Sequence, residues 1–278
     1  MPLRNPVYLD LETLEAQAQY HEIDFPLPAE VVEKTTRARS AEAGAQVGPL
    51  TARGKGGKDV ELQRSYTLAP KHKTVVSRAM DALIAEGHVQ TDVLAGVSRD
   101  DLLQVEGRSS LMPCSTVGKL MHIALLAMQD AEVTDFNDLD MDSLEPGFLQ
   151  HAKRAYVDNT LLPIPLLLRL EAPADAPSIY LDLQPGQFLD SRSIDDVEGE
   201  IRVLATVDKI IDDGDFYSAE RWLLPGWERM MKRLTMASSS IEEAFVAFSE
   251  LFDVDVPDED IKPYLSGPAL ILSTIAIY

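Results

Sequence analysis

Helical spacing recurs along the chain. Leu11, Leu14 and Ala18 share one face, Glu12, Glu15 and Gln19 lie outward, and Asp10 stands at the N-cap position. Val75, Val76, Ala79, Met80, Leu83 and Ile84 predict a helix over 73–86, closed by Gly87 as a left-handed cap. Val117, Leu120, Met121, Ala124, Leu125 and Met128 predict another over 116–130, with Ser115 or Thr116 as its cap. Two later helices are expected, one over 227–236 and one opening at the capping box Ser240-Ile241-Glu242-Glu243.

Strand-like patterning fills the gaps. Short strands are expected at 6–9 and at 102–105, the latter closed by Glu106-Gly107. A buried strand is expected at 164–170 and an alternating, half-buried one at 179–183. A long strand over 201–211 ends in the turn Asp212-Asp213-Gly214-Asp215. Residues 269–278 are apolar and β-prone, which suits a docked central strand able to pair with 201–211.

These elements predict an α+β protein. Residues 1–145 are expected to form a helix-rich N-terminal region with a winged-helix-like core. That expectation rests on the cadence of an apolar helix over 73–86, Gly87, and an extended piece from His88. Residues 150–278 are expected to form a mixed sheet carrying two helices. Between them lies an acidic stretch, 130–145, ending at Pro146-Gly147.

Composition narrows the class. The chain has 278 residues, 45% of them hydrophobic, and one cysteine, Cys114, so it has no internal disulfide. The longest apolar run, 161–168, is broken by Pro163 and Pro165 and is too short to cross a bilayer. With no apolar signal core at the start, the expected setting is cytoplasmic with no membrane span.

Charge gives the one asymmetry. The net charge is -21, yet 34–78 holds ten Lys or Arg against three acids, so that stretch is +7 and the remainder -28. Within it, 37–65 is a basic, glycine-rich loop without apolar patterning. Arg53, Lys55, Lys58, Arg64, Lys71, Lys73 and Arg78 are the candidate residues for an anionic partner. That partner is nucleic acid, a phospholipid head group or an acidic face of the same protein, and a solvated loop without a partner is the plain alternative.

No catalytic constellation emerges. Gly48 to Gly54 is one residue too long for a P-loop, and Lys55 is followed by Gly56 instead of a hydroxyl residue. Asp138-x-Asp140-x-Asp142 opens like a calcium loop, but its sixth and twelfth positions are Ser143 and Leu149. The five histidines are scattered, and His122 is expected at the surface. Cys114 precedes a helix, where a thiol can be acidified, but it has no adjacent base in sequence. No catalytic residue, metal or cofactor is therefore expected. Trp222, Trp227, Arg229, Met230 and Met231 form an aromatic, Met- and Arg-bearing segment suited to a protein interface or to ordinary core packing.

The start Asn5-Pro6-Val7-Tyr8-Leu9-Asp10, the run Gln63-Arg64-Ser65-Tyr66-Thr67-Leu68-Ala69-Pro70, the strand 202–207 and the ending from Gly267-Pro268 to Tyr278 together carry a resemblance. They resemble a family of bacterial proteins carried as a domain of unknown function. The resemblance implies a bacterial setting, with stress or phage defence as a context, and brings no catalytic residues. The expected function is a non-enzymatic interaction or scaffold protein, self-associating or bound to a protein partner. The alternatives are a nucleic-acid-binding regulator acting through 53–89 and an enzyme with a dispersed site.

Overall fold

Asp10 sets the first corner of the structure, a computed structural model that describes residues 4–24, 70–93, 96–132, 147, 148, 150, 152, 164–171, 176–189, 192, 194–223 and 264–278. Strand β1 (Tyr8–Leu9) ends there, and the Asp10 carboxylate accepts from the Thr13 amide at 3.2 Å and the Thr13 hydroxyl at 2.8 Å. That cap starts α1 (Leu11–Tyr20), which buries Leu11, Leu14 and Ala18 as its spacing predicts. Helix α2 (Pro70–Ala85) ends at Gly87, whose φ of +79° is the left-handed cap expected.

The remaining elements are β2 (Leu102–Leu111), α3 (Pro113–Asp130), β3 (Leu166–Leu170), β4 (Ser178–Leu183), β5 (Gly199–Ile211), β6 (Phe216–Ser218), α4 (Glu220–Leu223), β7 (Tyr264–Ser266) and β8 (Ala269–Ile277). Five strands close on themselves. β2 pairs antiparallel with β3 and β3 with β4, β4 pairs parallel with β8, β8 pairs antiparallel with β5, and β5 returns to β2. Counted in barrel order, the circuit is first, second, third, fifth, fourth, first, with one parallel contact between third and fifth. This is the Greek-key circuit of OB-type barrels.

This closed barrel corrects the expectation of a helix-rich N-terminal region with a winged-helix core. Gln90, after α2, makes one parallel bridge to Leu103 and no wing. Helix α2 instead lays Val76, Met80 and Leu83 on the outside of the barrel against Leu102, Leu204 and Ile275. The helix–glycine–strand cadence is local and fits either fold. The long-range pairing of β2 with β3 and β5 decides between them.

β2 does not stop at Glu106-Gly107 as expected. It runs to Leu111 and so pairs with both neighbours. Gly107 serves close approach: a Cβ there would lie 2.7 Å from the Glu171 carbonyl oxygen. Helix α3 begins three residues earlier than expected, with Pro113 in its first turn. Ser115 does not cap it, because its hydroxyl accepts the Leu167 amide at 2.8 Å.

The barrel interior holds Leu103, Val105, Leu168, Ile179, Leu181, Val203, Val207 and Leu272. β8 is buried on both faces. Leu270 and Leu272 point in, Ala269 and Ile271 face α3 and α4, and Ile275 and Ala276 face α1 and α2. Two register shifts between β5 and β8 change which residues face inward, as bulges do. The shift at Asp208 turns Ile211 out of the interior and into the α3–α4 layer. β1 extends the sheet at the far end of β8, with Tyr8 opposite Ile277.

Candidate functional site

OB-type barrels bind ligands on the outer face of their second and third strands, between the first-to-second and fourth-to-fifth connections. Here those strands are β3 and β4, and the connections carry α3 and α4. Both helices fold down onto that face. Val117 and Met121 from α3 and Trp222 and Leu223 from α4 cover Leu167 and Tyr180. The helices meet at Gly118, where a Cβ would lie 2.2 Å from the Leu223 carbonyl oxygen and 2.3 Å from that of Trp222.

A buried carboxylate fixes this cover. Asp182 on β4 points outward and its side chain is 4% exposed. Its Oδ1 accepts the Trp222 indole N–H at 2.9 Å, and its Oδ2 lies 2.7 Å from the Arg221 guanidinium. Arg221 also reaches within 3.9 Å of Asp208 at the bulge. Burial pushes the Asp182 carboxyl above its ordinary range, while Arg221 and the Trp222 hydrogen bond pull it back. This cluster joins α4 to the barrel, and the sequence reading missed it. Its only trace in sequence is one acid within the apolar alternation Ile179-x-Leu181-x-Leu183.

Beside α4 lies a two-stranded ribbon of β6 and β7. Tyr217 and Leu265 on one face pack towards Trp222. Phe216 and Tyr264 on the other face meet edge to face with centroids 5.0 Å apart, and are 65% and 41% exposed. The acidic turn Asp212–Asp215, expected from sequence, leads directly into this face.

The candidate residues from sequence scatter. Arg53, Lys55, Lys58, Arg64, Trp227, Arg229, Met230 and Met231 lie outside the described residues, as do the loop 37–65, the two late helices and Asp138–Asp142. Lys71 lies in the first turn of α2. The Lys73 ammonium donates to Asn5 at 3.0 Å, and Arg78 is exposed. Trp222, a candidate interface residue, is fully buried within the chain. Cys114 is buried too, and burial raises its thiol to about 11. His122, expected to be exposed at the surface, is half-buried, and burial lowers its pKa.

Two further features lie apart from this face. His21, after α1, stacks on His88, after α2, with ring centroids 4.0 Å apart; burial and then the His88 charge lower its pKa. A groove of about 710 Å³ is lined by Glu106, Gly107, Glu200, Ile201, Arg202 and Tyr278. Its one cation already pairs with Glu106 at 2.6 Å. Among the described residues no cluster of His, Cys, Asp or Glu is placed to hold a metal ion, and no helix is long and apolar enough to cross a membrane.

Comparison with curated proteins and with solved structures gave no match. A family model does match, over residues 3–278, and it is the one described as a domain of unknown function, DUF6414. The match spans the barrel, both helical layers and the ribbon, and the chain therefore belongs to the DUF6414 family.

Proposed function

We propose that this chain is a non-enzymatic interaction protein that engages a protein partner or a second copy of itself. The observation that carries the reading is the cover over β3 and β4. By fold analogy alone, that face is where an OB-type barrel takes oligonucleotides or oligosaccharides. Here Trp222 and Leu223 occupy it and the Asp182–Arg221 pair holds them there. Recognition then falls to what the cover itself displays, and it displays aromatic and acidic side chains. A net charge of -21 further disfavours polyanions.

Light scattering at physiological salt, combined with affinity capture under native conditions, tests this. A mass above one chain, or a stoichiometric protein partner, is the expected result. A strict monomer without a partner counts against it. The competing reading is nucleic-acid binding through 53–89, where Arg78 stands exposed on α2. It requires salt-dependent duplex binding that is lost when Lys71, Lys73 and Arg78 are neutralised.

A further inference from the structure

The β6–β7 ribbon has two unlike faces. Strand alternation places Phe216 and Ser218 on one side with Tyr264 and Ser266, and all four are exposed. Tyr217 and Leu265 occupy the other side, within the cluster around Trp222. The ribbon is therefore anchored from beneath and displays its aromatic pair on a fixed base. The acidic turn is closed by the Asp215 amide donating to Asp212 at 3.0 Å, and one backbone bond, from the Gly267 amide to Asp215 at 3.0 Å, ties it to the ribbon. Asp212, Asp213 and Asp215 are exposed beside Phe216.

We propose that this ribbon face is a docking surface for a cationic, Arg- or Lys-bearing segment of a protein partner. The inference deepens the interaction reading and rests on it. Charge complementarity selects the occupant. Three exposed carboxylates lie in the turn that leads into Phe216, and the chain as a whole repels anions and attracts cations. Aromatic faces also hold guanidinium and ammonium groups through their quadrupoles. The pair is already set edge to face, so docking orders little that is not ordered beforehand. Among the described residues the nearby cations are engaged elsewhere: Lys209 lies over the ring of Tyr217 at 5.9 Å, and Arg221 pairs with Asp182.

The test uses the full chain and a fluorescein-labelled peptide of twelve residues, alternating arginine and glycine, read by anisotropy. Phe216→Ala with Tyr264→Ala is expected to weaken binding about tenfold while keeping one cooperative melting transition, lowered only by the few degrees that losing their edge-to-face contact costs. Asp212→Asn, Asp213→Asn and Asp215→Asn together are expected to weaken binding and flatten its salt dependence. Neutralising the exposed acids Asp100, Asp195 and Glu200 is expected to change binding less than twofold. Equal loss in both acidic triple variants, or undiminished binding without the two rings, means diffuse attraction to an acidic chain and overturns the proposal. So does tighter binding to a twelve-nucleotide oligothymidine than to the peptide. Self-association or partner binding that survives the loss of both rings overturns the ribbon's role and leaves the interaction reading standing.

Discussion

Burying a carboxylate beneath a tryptophan and an arginine destabilises a fold unless both groups bond to it. At Asp182 both do, and the carboxyl still sits above its ordinary value of 3.8 because burial outweighs them. The sign follows from proton uptake. Between 3.8 and the raised folded value, the folded chain holds a proton that the unfolded chain has lost. Stability from this group is present below that window and falls as pH rises through it. Asp182→Asn keeps an acceptor for the Trp222 indole and removes the titration. The variant should gain stability relative to wild type as pH rises through the window, measured by urea unfolding across pH. Asp182→Ala should instead cost about 1–3 kcal/mol at neutral pH, because the indole N–H loses its acceptor. Cys114 gives a second check at this scale. A buried thiol raised to about 11 should resist iodoacetamide in the folded protein and react once urea unfolds it.

At the scale of elements, much was legible because periodicity is local. The cap at Asp10, the αL stop at Gly87 and the pairing of the last strand with β5 all came from residues a few positions apart or from their apolar match, whereas β4, expected half-buried from its alternation, is buried on both faces because α3 and α4 cover its outer side. What was not legible depends on distance. Gly107 reads as a strand end in sequence, yet it lies mid-strand because Glu171 crosses there. The bulge at Asp208, which sends Ile211 outward, has no signature beyond a polar residue in an apolar strand. The Asp182 cluster joins residues about forty positions apart, so no motif scan reaches it. Gly118 offers the sharpest test of the cover. A methyl group there must push two backbone carbonyls, not a flexible side chain, so Gly118→Ala should cost about 3 kcal/mol or more and loosen α4. Thermal unfolding and faster amide exchange at Trp222 would show it.

The described residues form a barrel dressed on two sides. α1 and α2 cover the β5 and distal β8 side, and α3 and α4 cover β3, β4 and the near half of β8. β8 takes part in both layers and in the interior, so the two covers and the barrel should unfold together. Trp222→Ala, which empties one layer, should lower stability by about 3–5 kcal/mol and shift a single transition, not split it in two. Circular dichroism and tryptophan fluorescence, followed in the same denaturant series, would separate these outcomes.

The place of β8 in the barrel also governs the order of events as the chain is made. Strands β2, β3, β4 and β5 are all synthesised before it, and until it arrives β4 and β5 keep an edge of unpaired amides and carbonyls. Tyr8 also bridges Phe188, but its ladder partner Ile277 comes nearly the whole chain later. Closure on this plan is late and non-local, the regime in which refolding takes milliseconds to seconds and nascent sheet edges invite aggregation. A ribosome carrying this chain therefore presents an open, adhesive half-barrel from the completion of β5 until β8 emerges, and its yield in a cell should depend on what shields that edge in the interval.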